Sequence, residues 1–103
     1  MVKDYIDIDK YIDESVKIKF KDKVLDVKEP SARLTKELIN LEKSITNENA
    51  LDIQEETVRL ILNNNKNGIE LTTEDIKEIP YKVQKIILRE IKTMRERVEP
   101  DQD

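Results

Sequence analysis

The chain has 103 residues, 37% of them apolar and 41% charged, with one Phe, three Tyr and no Trp, so it can hold one small domain with a thin core of Ile, Leu and Val. Its 19 basic and 23 acidic residues give a formal charge of −4 spread along the chain, which speaks against a nucleic-acid partner. The absence of Cys and His removes disulfides, thiolate zinc sites and most nucleophilic or metallohydrolase arrangements, and no apolar stretch approaches the roughly 20 residues of a membrane span.

Residues 1–14 alternate acidic and apolar side chains, with Tyr5, Ile6, Ile8, Tyr11 and Ile12 set among Asp4, Asp7, Asp9, Asp13 and Glu14. They read as a flexible leader packed loosely on the domain, with docking to a partner through Tyr5 and Tyr11 as the other expectation. Asp7 and Asp9 do not make a calcium loop, because Tyr11 interrupts the ligand spacing and the Gly and terminal Glu are missing. No signal-peptide core is present here either.

Residues 15–28 carry the strand signal. Val16, Ile18 and Phe20 alternate with Lys17, Lys19 and Lys21, the period-2 pattern of a sheet with one wet face. A turn at Asp22-Lys23 would set Phe20 opposite Leu25 and Ile18 opposite Val27, with Lys19 facing Asp26 and Lys17 facing Lys28. Asp-Lys lacks the Gly of a strong turn, so a longer loop stays open. The lysine row reads as a solvated face.

Ser31 is a suitable N-cap for a first amphipathic helix over about 31–45, with Leu34, Leu38, Leu41 and Ile45 along one side. A second helix is expected over about 52–63, with Asp52 and Glu55 as a capping box and Val58, Ile61 and Leu62 inside. The run Asn63-Asn64-Asn65-Lys66-Asn67-Gly68 ends it and reads as a surface connection. A short helix follows over about 73–79, capped by Thr72 or Thr73, with Ile76 and Ile79 inward. Pro80 separates it from a long helix over 81–98, where Val83, Ile86, Ile87, Ile91, Met94 and Val98 recur at three and four. Residues 99–103 form an acidic tail expected to be disordered. The fold class expected is therefore α+β, mostly α, with an N-terminal β-hairpin on a small bundle of amphipathic helices and a long C-terminal helix.

No catalytic, metal or cofactor constellation emerges. Glu55 and Glu56 are adjacent rather than on one helix face, and a single Gly rules out a Gly-rich phosphate loop. The Lys and Arg residues of the last helix are interrupted by Glu90 and Glu96. The hairpin and the first two helices can sheath the N-terminal half of the last helix. Less cover remains for its end, so Ile87, Ile91, Met94 and Val98 are the expected protein-interaction positions there.

The stretches VKIKFKDKVLDVKEPS (16–31), the helical run 34–62 and LTTEDIKEIPYKVQKII (71–87) together resemble the small tail assembly chaperones of long-tailed bacteriophages and prophages. The resemblance rests on the order and texture of the elements. It implies a non-enzymatic protein of the bacterial host cytoplasm that binds the tape measure protein, assists assembly of the tail tube protein, often oligomerises and is absent from the finished virion. It supplies no catalytic or binding residues to carry over. The leader before Val16 is longer than the pattern, which keeps a docking role open. The alternative is an oligomeric structural or adaptor protein of phage or bacterial origin whose last helix pairs in a dimer, and behind it a nucleic-acid-binding regulator.

Overall fold

The computed structural model describes residue 8 and residues 14–96. Two antiparallel strands, β1 (Ser15–Phe20) and β2 (Lys23–Lys28), are followed by four helices, α1 (Ala32–Lys43), α2 (Ala50–Asn63), α3 (Thr73–Lys77) and α4 (Tyr81–Glu96). This is the mostly helical α+β arrangement that the periodicities predict, hairpin first and long helix last. The expected leader and acidic tail lie outside the described residues, apart from Ile8 and Glu14.

The hairpin turns one residue earlier than Asp22-Lys23. Phe20 pairs with Lys23, so Lys21 and Asp22 form the loop, both with positive φ (50° and 65°), as the primed turns that match strand twist demand. The register moves with the turn. Ile18 faces Leu25 and Val16 faces Val27, while Lys17 rather than Lys19 meets Asp26, its Nζ 2.6 Å from the carboxylate. Two apolar cross-strand pairs and one ion pair replace an arrangement that would have set Lys17 against Lys28. Because the shift is by two residues, the same side chains still point inward.

The asparagine run does more than connect. Lys28 N donates to Asn64 O at 2.9 Å, Lys66 N to Asp26 O at 2.9 Å, and Asn65 bridges Val27, so the loop pairs along the outer edge of β2. The Asn67 carboxamide accepts from Asp26 N at 2.6 Å and donates to Asp26 Oδ2 at 3.1 Å. Asn63 exchanges two hydrogen bonds with the Leu71 backbone (2.7 and 3.1 Å), and Asn65 donates to the carbonyls of Leu62 and Ile69 (both 2.8 Å). Short carboxamides that reach backbone groups are what let so irregular a segment satisfy its polar atoms. Gly68 supplies the one positive-φ glycine, at 69°.

Helix α2 is the hub, packed against α1, α3, α4 and β2. Its Val58, Ile61 and Leu62 meet Leu25 and Val27 of the hairpin, Ile76 of α3 and Ile87 and Ile91 of α4 in one core. The helix starts at Ala50, two residues before the expected cap. Asn49 holds the preceding turn, accepting from Thr46 N at 2.6 Å and donating to Ser44 O at 3.0 Å. Asp52 therefore sits in the first turn and Glu55 is free of capping; it lies buried, accepting from the Tyr81 hydroxyl at 2.9 Å.

Pro80 turns the chain between α3 and α4 as expected, and α3 carries a capping box of Thr72 with Asp75. The buried side of α4 is another matter. It is formed by Gln84 (0% exposed), Ile87 and Ile91, with Leu88 half-buried, whereas Val83 and Ile86 are about 40% exposed. Gln84 explains the rotation. Its Nε2 donates to Ile79 O at 2.9 Å and Ile76 O at 3.4 Å, two carbonyls at the end of α3 beside Pro80, which has no N–H. Its Oε1 accepts from Gln54 at 3.2 Å, so the fully buried amide leaves no polar atom unpaired.

Candidate partner-binding groove

Helix α1 is amphipathic, yet none of its residues is fully buried. It is fixed at its ends. Ser31 Oγ accepts from Leu34 N at 3.2 Å, Pro30 is buried beneath the start, and Ser44 closes the last turn through Leu41 O at 2.7 Å. Between these points α1 packs chiefly on α2, so the cover it gives the last helix is slight.

The result is a groove of about 860 Å³ between α1 and α4, floored by α2. Leu38 and Glu42 of α1 and Ile45 beyond it form one wall; Leu88 and Lys92 of α4 form the other. Ile53 and Ile61 of α2, with Ile91 of α4, make an apolar floor. Ile45 is 47% exposed. Glu29 and Pro30 also line it.

The polar groups of the floor are already engaged. Thr57 Oγ1 donates to Ile53 O at 2.8 Å, and Gln54 reaches Gln84 and Tyr81 O. The charges on the walls are not: among the described residues, Glu29, Glu42 and Lys92 form no salt bridge. A trough that mixes Leu and Ile side chains with polar ones and carries charges along its edges suits an amphipathic helix, with polar flanks reaching the walls. It lacks the convergent polar groups that orient a small molecule.

Elsewhere, polar contacts tie elements together. Lys21 Nζ bridges Asp75 (3.2 Å) and Glu78 (2.8 Å), and hydrogen bonds to Glu78 and then Asp75 hold its pKa above the ordinary value. Arg59 meets Glu56 through two bonds of 2.8 and 2.6 Å, lowering the Glu56 pKa. The bond to Glu55 raises that of the Tyr81 hydroxyl. No group of three or more potential metal-ligating His, Cys, Asp or Glu occurs among the described residues, and no helix among them is long and apolar enough to cross a membrane.

Of the expected interaction positions, Ile87 and Ile91 are corrected: they are 7% and 3% exposed and belong to the core, where Gln84 turns them inward. Met94 lies in the last turn of α4, with its side chain outside the described set, and Val98, Tyr5 and Tyr11 lie outside it altogether. The groove residues Leu38, Ile45, Ile53 and Leu88 were not singled out by sequence reasoning. Their signal was the length of the Leu34-Leu38-Leu41-Ile45 stripe, which exceeds what one edge of α2 can cover.

Comparison with family models, with curated proteins and with solved structures finds no match for this chain.

Proposed function

We propose that the protein is a non-enzymatic assembly factor that holds an amphipathic helix of a partner in the α1–α4 groove, acting as a tail assembly chaperone of a long-tailed phage or prophage. The observation that carries this reading is α1, an amphipathic helix that flanks an 860 Å³ groove of mixed apolar and polar lining without fully burying any residue of its own. Such a surface exchanges solvent for the apolar stripe of a second helix, gaining roughly 25 cal/mol for each Å² of apolar surface removed from water. In this reading the partner is the tape measure protein, whose long helices are kept soluble in the host cytoplasm while tube subunits assemble, and the factor leaves the finished tail.

Coexpression with a tape measure fragment is expected to yield a soluble complex. The Leu38→Glu, Ile45→Glu variant is expected to lose it while still folding, with a lowered melting midpoint because Leu38 packs against the margin of the core. Recovery of the complex undiminished by these substitutions, or failure of any tail protein to copurify, would count against the proposal.

A second reading, an oligomeric adaptor, draws on one observation. Val83 and Ile86 leave an apolar flank on α4, each about 40% exposed, opposite no described element that covers it fully. Two copies joined through these flanks would pair their last helices, with Ile86 rather than Ile87 at the contact.

A further inference from the structure

We infer that the outer edge of β1 is a docking site for an extended peptide segment of another protein, one that alternates acidic with apolar residues and adds to the hairpin as a third strand.

Three observations converge on this edge. The first is the backbone. Phe20 and Lys23 close a two-residue loop, so Val16, Ile18 and Phe20 exchange the ladder hydrogen bonds with β2, while Ser15, Lys17 and Lys19 turn their N–H and C=O groups outward. On β2 the matching outward groups are used: Lys66 N donates to Asp26 O, Asp26 N donates to the Asn67 carboxamide, and Lys28 N donates to Asn64 O. On β1, no group among the described residues bonds to the outward backbone of Ser15, Lys17 or Lys19. Such a row of donors and acceptors is a template for one more strand.

The second is burial. Leu25 and Val27 of β2 are 0% exposed, whereas Val16, Ile18 and Phe20, which point to the same side from β1, stay half-buried. Helix α2 packs on β2 and α4 on β1, so the β1 side chains have cover from beneath and from β2, which leaves the edge as their open side. Apolar residues at alternate positions of an added strand complete that cover.

The third is charge. On the outward face of β1 stand Lys17, paired with Asp26 and 75% exposed, and Lys19, which lies opposite Val24 and forms no salt bridge among the described residues. Lysines of this kind blunt an edge against indiscriminate pairing. Here they also select. A second copy of β1 laid antiparallel with its apolar side inward sets lysine against lysine, whereas an acidic strand sets a carboxylate opposite each. The occupant is therefore a segment of a different protein, acidic side chains outward and apolar ones inward. This site is separate from the groove and does not depend on what the groove holds.

Amide exchange in the full-length chain reads the edge directly. The probe is a synthetic peptide of about eight residues alternating Glu with Val, long enough to span β1. Without peptide, the Lys17 and Lys19 amides are expected to exchange faster than those of Ile18 and Phe20 in the ladder. At about ten times the peptide's Kd, exchange at Lys17 and Lys19 is expected to slow roughly tenfold. The same peptide N-methylated at its Glu amides keeps its charges but loses the donors that pair with Lys17 and Lys19, and is expected to give no protection. Lys19→Glu, at an exposed position outside the core, is expected to weaken the Glu peptide by roughly threefold or more and to favour a counterpart alternating Lys with Val. Unchanged exchange at Lys17 and Lys19 would overturn the inference, as would indifference of binding to Lys19→Glu. Equal protection by the N-methylated peptide would reduce the contact to charge attraction and overturn it too. Shifts at Leu38 and Leu88 in place of the edge would put the peptide in the groove, and slowing that grows with protein concentration alone would assign the edge to a second copy; either result rejects the site.

Discussion

Asp75 shows how much one half-buried side chain can organise. Its Oδ2 accepts from the Thr72 amide at 2.9 Å and the Thr72 hydroxyl at 3.1 Å, while Oδ1 accepts from Lys21 at 3.2 Å, so it caps α3 and ties the hairpin tip to it. The Thr72 amide first, and Lys21 second, hold its pKa below the usual 3.8, and Lys17 and Asn67 do the same for Asp26. A carboxylate with a depressed folded pKa adds stability above its unfolded pKa and loses it as pH falls through the folded one. Stability is therefore expected to decline as pH drops below about 4, the ordinary carboxylate range. Urea unfolding at pH 6 and pH 3 checks this: Asp75→Asn, which keeps a side-chain acceptor for the Thr72 amide, is expected to narrow the difference between the two midpoints. An undiminished difference would place the acid sensitivity elsewhere.

At the scale of elements, α1 and α2 are both amphipathic but held very differently. Helix α2 contributes Val58, Ile61 and Leu62 to the core, whereas α1 contributes only the half-buried Leu38 at its margin. Local opening requires only the contacts an element makes, so α1 is expected to detach before the domain unfolds. Amide exchange should then be roughly tenfold or more faster across residues 36–43 than at Val58–Leu62, corresponding to about 1.4 kcal/mol or more between the two openings. Equal protection would show that α1 opens only with the whole molecule and would remove it as the movable wall of the groove. The hairpin is bound in more firmly, with the asparagine loop along β2 and Lys21 on α3.

For the whole molecule, the choice of buried face on α4 decides what remains for a partner. Ile87→Glu would bury a carboxylate without a partner beside Ile91 and Val58, a penalty of several kcal/mol comparable with the entire stability of a small domain, and is expected to unfold the chain. Ile86→Glu, at a position 40% exposed, is expected to fold as the wild type does. Sedimentation of wild type and Ile86→Glu then reads the adaptor alternative: a drop in mass would place an interface on this flank, and unchanged mass would dismiss it.

The elements themselves were legible in the sequence. Alternation over Val16, Ile18 and Phe20 marked β1, the spacing of Val58, Ile61 and Leu62 marked the inner side of α2, and Thr72 and Pro80 bounded α3 and α4, because period and capping depend on residues only a few positions apart. The turn was off by one residue, since Lys21 and Asp22 carry little of the Asn-Gly signal and take positive φ because the strand pairing favours it. The groove was not legible. Apolar spacing shows that a helix has an inner side, but which residues that side includes depends on polar groups it meets in space. Gln84 is inside because the carbonyls of Ile76 and Ile79 need its amide, and that turns Ile87 and Ile91 inward and leaves Val83 and Ile86 out. The sequence determined that this protein is a hairpin followed by amphipathic helices; only the tertiary structure decided how much of each stripe finds cover, because cover depends on the shapes of neighbours far away in the chain.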